Sequence, residues 1–423
     1  MIRILSSTAV KEFIDRKELN TASVEDIVLT IIADVKARGD KALIDYAERF
    51  DKAVLTSLKV SEEEFKQAEK QVSNEYKQML KRACDNISAF HEKQKRVGFE
   101  IKNGGKICGQ KVVPLKRVGI YVPGGTAAYP STVLMNAIPA RIAGVKEIVM
   151  VSPPTSDGKL RAEVLVAARL AGVTEVYKTG GAQAIAALAY GSESIKKVDK
   201  ITGPGNIFVA TAKKAVFGTV DIDMIAGPSE IMIIADKTAN PVYLAADLLS
   251  QAEHDKMASA ILLTNDSILA EKVQKEVTKQ LETLPRREIA EASIDKNGKI
   301  ILVENIGEAV TIANELAPEH LEICTENALE VFDGIVNAGS VFIGNYTPEA
   351  LGDYYAGTNH TLPTSGTAKY ASPLSVEDFV KTVQFISYDK TALEEVSSDI
   401  ITFAESEGLT AHALSVAKRK ENE

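Results

Sequence analysis

Cysteine is scarce in this chain. Its three copies, Cys84, Cys108 and Cys324, are scattered through 423 residues. An odd count without CxxC spacing gives no disulfide framework and no cysteine zinc site, and points to a reducing cytoplasm. Long apolar runs are missing as well: no stretch approaches the ~18 residues of a membrane span, so no membrane partner is expected. The opening MIRILSSTAVKEFIDRKELN has no apolar segment ahead of its acids, and no secretory leader is expected there. Basic excess is absent. A net charge of −9 argues against a nucleic-acid partner, which needs a basic face. No low-complexity tract or internal repeat stands out. No GxGxxG follows the first strand of the parallel region, so the usual dinucleotide fingerprint is lacking too.

What remains is ordinary globular composition, 45% hydrophobic and 25% charged, in a chain long enough for several domains. The first hundred residues read as helical. SEEEFKQAEKQVSNEYKQMLKRACDNISAFHEKQKRV opens with Ser61 and Glu64 at capping-box spacing. Phe65, Ala68, Val72, Met79, Ala83, Ile87 and Phe90 follow as an apolar stripe, and His91 beyond it reads as structural. From residue 117 the texture changes. RVGIYV, KEIVMV, TEVYKT, VDKIT and EIMIIA are short β-branched strands separated by helical stretches. A second alternation follows through SAILLT, KIILV, LEICT and SVFIG. Strands alternating with helices imply βαβ units and parallel sheets. The last fifty residues read as helical without strands. The expected fold is α/β: two α/β domains with helical additions at both ends.

Three glycine-rich turns directly follow strands: YVPGGTAAYPS, TGGAQAI and TGPGNIF. At the carboxyl ends of parallel strands, Gly124 with Gly125, Gly180 with Gly181, and Gly203 with Gly205 suit a nucleotide pyrophosphate. They equally suit plain tight strand-to-helix turns. Ser229 of AGPSE offers a hydroxyl to a polar ligand.

Four of the five histidines lie after residue 253, each in a polar setting. Gln251 and His254 of SQAEHD are three apart and share a helix face, as half of a metal site or as a plain polar helix end. Gln251, His254, Asp353 and His412 together would suit a divalent metal such as Zn²⁺, Mn²⁺ or Co²⁺. In APEHLE, Glu319 and His320 are adjacent just before a strand. Two such neighbours can serve two proton transfers on one substrate, or they can sit in a surface turn facing water.

The motifs VGIYVPGG, STVLMNAIPARIAG, GGAQAIAALAYG, KITGPGN, AGPSE, DLLSQAEHD, APEHLE, AGSVFIGNYTPEALGDYYAGTNHTLPT and EGLTAH, in this order, resemble the histidinol dehydrogenase family from about residue 20 to the end. The resemblance implies oxidation of L-histidinol to L-histidine through histidinal, with two NAD⁺, at the last step of histidine biosynthesis. It implies one Zn²⁺ per chain on Gln251, His254, Asp353 and His412, and Glu319 with His320 as the acid–base pair. Ser229, His320, His360 and Glu407, with the zinc ligands, would contact the substrate; Tyr121, Gln183 and Asn206 would contact NAD. The implied fold is two incomplete Rossmann-like domains, one inserted in the other. Residues 1–116 and 236–370 would form the split domain and 117–235 the inserted NAD-binding one. Residues 371–423 would be a helical segment crossing to the partner of a homodimer with shared active sites. Competing readings of the residues are an aldehyde oxidation through a Cys108 thiohemiacetal, a zinc hydrolase, and a nucleotide-binding module without activity.

Overall fold

Ser61 starts a helix as its spacing predicts. Its hydroxyl accepts from the Glu64 N–H at 3.2 Å, while the Glu64 carboxylate accepts from the Ser61 N–H at 2.7 Å. The predicted stripe is split, however. The backbone turns extended at Val72, and Ser73 caps a second helix, so Glu62–Gln71 and Asn74–Glu92 replace one long element. The computed structural model describes residues 1–10, 22–124 and 128–420. It falls into two units, Met1–Gln94 with Leu115–Phe379, and Lys95–Pro114 with Val380–Glu423.

The first unit holds two parallel sheets. One has five strands, ordered Glu175–Lys178, Glu147–Ser152, Arg117–Tyr121, Lys200–Thr202, Asp221–Ile222. The other has six, ordered Arg3–Ser6, Lys299–Leu302, Ser259–Thr264, Glu230–Ala235, His320–Cys324, Ser340–Ile343. In chain order the five-stranded sheet runs third, second, first, fourth, fifth. The six-stranded sheet repeats that order from Glu230–Ala235 onward and adds Arg3–Ser6 at its edge. This is the doubly wound order of Rossmann-like folds, here cut short. One sheet is inserted in the other: the chain leaves the six-stranded sheet after Ser6 and returns at Glu230.

Strand period sorts side chains into separate cores. Val118, Ile120, Ile148 and Met150 pack with helices Glu62–Gln71, Asn74–Glu92, Pro130–Ala143 and Ala162–Ala171 on one face of the five-stranded sheet. Val149, Val151 and Ile201 pack with Ala22–Arg38, Gly181–Tyr190 and Ile207–Val216 on the other. The amino-terminal helices therefore cover the inserted sheet, not the split domain to which the sequence assigned them. Glu230–Ala235 moves the other way. It was expected within 117–235 but is a central strand of the six-stranded sheet, paired with Ser259–Thr264 and His320–Cys324. All six of its residues are buried, so its composition suits either sheet.

The second unit corrects the expectation of a purely helical tail. Val380–Tyr388 is a nine-residue strand, antiparallel to Lys106–Pro114, which also pairs with Phe99–Asn103. Helices Lys390–Ser406 and Thr410–Ala417 follow, the first capped by Asp389.

Candidate active site

The carboxyl edge of the five-stranded sheet gathers the residues read as cofactor contacts. The crevice of this strand order lies between its first and fourth strands. Tyr121 ends the first, and Gly203 to Asn206 follow the fourth. Tyr121 is buried; its hydroxyl accepts the Gly181 N–H at 3.1 Å, and burial pushes its pKa up to about 12. Gln183 is buried in the first turn of Gly181–Tyr190. Asn206 is exposed and caps Ile207–Val216 through the N–H groups of Phe208 and Val209. Gly203 has φ +112°, and a Cβ there would sit 2.1 Å from the Tyr121 carbonyl oxygen. The tight-turn reading thus accounts for this glycine by itself. The edge still fits a nucleotide: the buried hydroxyls of Thr179, just past Glu175–Lys178, and Thr202, at the end of Lys200–Thr202, have no partner. Gly125 lies outside the described residues.

The second cluster sits at the amino edge of the six-stranded sheet, opposite to the usual carboxyl-edge position. Glu319 and His320 are buried where His320–Cys324 begins. The backbone of Glu230, which opens the neighbouring strand, holds both. Its N–H donates to Glu319 Oε2 at 2.9 Å, and its carbonyl lies 3.0 Å from His320 Nδ1. A carbonyl only accepts, so Nδ1 carries a hydrogen in either charge state, and Nε2 is the nitrogen that gains or loses the proton. Nε2 has no hydrogen-bond partner and lies 3.6 Å from Asp353 Oδ1 and 4.0 Å from Glu349 Oε1. Burial opposes charge on His320, but Glu319, Glu349 and Asp353 outweigh it and raise its pKa well above 6.5. Burial pushes Glu319 up to about 8. Burial also works to raise Asp353, but the close approach and charge of His320 prevail and hold that carboxyl below 3.8.

Gln251 comes from the last turn of Pro241–Ala252 and is buried. Its Nε2 donates to Glu349 Oε1, which fixes the amide so that Oε1 is left buried without a partner. Glu349 and Asp353 are four apart on one helical turn. Ligand atoms of His320, Glu349 and Asp353 lie within 4.8 Å of one another. With the unpartnered Gln251 oxygen beside them, these nitrogen and oxygen donors fit a divalent cation. His254 ends the same helical segment as Gln251. It is exposed, yet the protein around it lowers its pKa, against the pull of Asp353. His360 Nδ1 lies 3.1 Å from the Asp353 carbonyl. Ser229 is half-buried immediately before Glu230.

The two edges are tied together. Helix Pro130–Ala143 starts beside the five-stranded sheet's carboxyl edge. Its Met135 carbonyl accepts from Asn359 at 2.7 Å, and its Asn136 amide donates to Thr361 at 3.5 Å, one residue on either side of His360. His91 has the structural place expected of it, buried against Gln94 and Asn359.

Sequence reasoning missed Glu349, whose burial raises its pKa to about 7. It missed Glu322 as well, which accepts the Glu349 N–H at 2.9 Å. Their spacing from Asp353 and His320, four and two residues, was the available signal. Glu407 and His412 lie in the second unit, both exposed. So does Cys108, whose cross-strand neighbours are the apolar Ile101 and Ile386.

The sequence profile described as histidinol dehydrogenase matches residues 14–420. Histidinol dehydrogenase of Clostridium acetobutylicum is 54% identical over 406 residues, covering 96% of this chain and 94% of its own. That of Geobacillus kaustophilus is 56% identical over 405 residues, covering 96% of each. The crystal structure of histidinol dehydrogenase from Elizabethkingia anophelis superposes with a TM-score of 0.94 at 42% identity, covering 100% of this chain and 98% of that one.

Proposed function

This chain belongs to the histidinol dehydrogenase family, an oxidoreductase family, and from that premise we propose that it oxidises L-histidinol to L-histidine through histidinal, using two NAD⁺ and one Zn²⁺ per chain. The observation that carries the reading is the grip of Glu230 on Glu319 and His320. One backbone unit orients a protonatable carboxyl and an imidazole with a free Nε2, side by side and buried.

Gln251, His254 and Asp353, with His412 of a second chain, would hold the zinc. When bound, zinc would hold the imidazole and amine of histidinol and offset the charge of Asp353 and Glu349, freeing His320 to accept a proton. Ser229, His360 and Glu407 complete the substrate contacts in this reading. In the first oxidation His320 Nε2 takes the hydroxyl proton as the carbinol hydride leaves for NAD⁺, giving the aldehyde. In the second, Glu319 in its ionised form takes a proton from water as it adds to the aldehyde, whose oxygen takes the proton that His320 received in the first oxidation. The resulting hydrate loses its hydride to a second NAD⁺ and becomes the carboxylate. Tyr121, Gln183 and Asn206 receive the NAD⁺, at the crevice that the strand order creates.

The homodimer with shared sites is supported by the surface of the second unit. Phe99, Ile101 and Ile386 are exposed on one sheet face, and Phe403, Leu409 and Leu414 are exposed on its helices. The free cysteines suit the cytoplasm; among the described residues no helix is long and apolar enough to cross a membrane. The test is spectroscopic. Absorbance at 340 nm should rise with histidinol and NAD⁺, stop after chelation and return with Zn²⁺. A rate indifferent to chelation contradicts the metal role, and no rise contradicts the activity.

A further inference from the structure

Lys213 and Asp223 form the most deeply buried ion pair among the described residues, with side chains 2% and 1% exposed. No proton transfer above uses them. Both converge on the first glycine of TGPGN. Lys213 Nζ donates to the Gly203 carbonyl at 3.0 Å, and Asp223 Oδ2 accepts the Gly203 N–H at 2.7 Å. Asp223 Oδ1 receives the remaining Lys213 bond and the Met224 N–H. Gly203 sits at φ +112° against the Tyr121 carbonyl, and three residues later Asn206 caps the following helix. Removing two charges from water is costly, so a buried pair is a poor device for stability alone. It is well suited to fixing a backbone that has little other support.

We propose that Lys213 and Asp223 are positioning residues that clamp both polar groups of Gly203, holding the TGPGN turn and Asn206 in the geometry that receives NAD⁺. The proposal rests on the cofactor reading of that sheet edge. The pair acts through the turn, bonding to Gly203, Met224 and each other.

The experiment compares Lys213→Met, Asp223→Asn and the double variant, with Asn206→Ala as a control on the cofactor reading. KM for NAD⁺, KM for histidinol and Tm are measured for each. Either single change leaves a buried charge unpaired and should lower Tm. The double change removes both charges and should regain much of that loss. Yet the Gly203 carbonyl stays unclamped, so KM for NAD⁺ should remain raised by roughly tenfold or more in the double variant, with KM for histidinol within about twofold. Asp223→Asn keeps an acceptor for the Gly203 N–H and covers the case in which Lys213→Met does not fold; it should shift KM for NAD⁺ in the same direction. Recovery of both Tm and KM in the double variant makes the pair purely structural and overturns the proposal. So does an unchanged KM in any folded variant when Asn206→Ala raises it. If Asn206→Ala also leaves NAD⁺ binding intact, the cofactor reading of this turn falls, and the proposal with it.

Discussion

Replacing Glu319 by Gln should make the protein more stable in alkali while disabling half of its chemistry. The amide keeps the shape of the side chain and an acceptor for the Glu230 N–H. It cannot ionise. Burial raises the Glu319 pKa from 4.5 to about 8, so the fold favours the protonated acid. The stability this group contributes is full below its unfolded pKa and is lost as pH rises through the folded one. At 1.36 kcal/mol per pH unit, burying this group rather than leaving it to ionise in the unfolded chain costs about 2 kcal/mol at pH 6 and about 5 kcal/mol at pH 9. The advantage of Glu319→Gln should widen by about 3 kcal/mol over that interval. For a chain of this length that is about 3 °C in Tm, at roughly 2.1 cal/mol/K of unfolding entropy per residue. Melting curves are recorded with chelator, so that no cation adds its own charge. The kinetic arm supplies histidinol and histidinal separately. Oxidation of histidinal should fall by roughly 10²-fold or more, while the first oxidation of histidinol survives. A stability difference that does not grow between pH 6 and pH 9, or equal losses in both half-reactions, refutes the reasoning.

Other outcomes follow from the same geometry. Glu349→Leu removes the acceptor that fixes the Gln251 amide, so zinc affinity by chelator competition should drop roughly 10- to 100-fold in a folded protein; unchanged affinity contradicts the orienting role. Gln251→Ala and His412→Ala chains, each nearly inactive, should regain roughly a quarter of native activity when unfolded and refolded together. Half of randomly paired dimers are mixed, and each mixed dimer has one intact site. Mixed dimers that form without recovered activity contradict the shared site. Cys108→Ser should keep its rate within about twofold, since the cross-strand neighbours of Cys108, Ile101 and Ile386, supply no base; loss of activity revives the thiohemiacetal reading.

Most of the parallel architecture was legible because its strands are short, β-branched and separated by helices of ordinary length. RVGIYV, KEIVMV, SAILLT and LEICT all fall on strands. Sheet membership was not legible for EIMIIA, since burial on both faces erases the alternation that would aim it at one partner. The antiparallel sheet was missed although its signs were present. NGGK closes a two-residue hairpin at Gly104 and Gly105, and VKTVQFISY has strand composition. In the candidate site, Gln251, Glu319, His320 and Asp353 were found because each stands in a polar motif, and the structure brings these four together. Glu349 was overlooked because nothing within TPEALGDYY itself marks this glutamate as buried. Its burial depends on Glu322 and Gln251, which arrive from distant strands and helices.

The most direct measurement is the yield of NADH against histidinol consumed, taken to completion with NAD⁺ in excess. Two successive oxidations at one site predict two NADH per histidinol, with histidine as the product and no free aldehyde accumulating. A yield of one, with histidinal released, contradicts the assignment of Glu319 and His320 to consecutive steps at a single centre. No NADH contradicts the proposed reaction altogether.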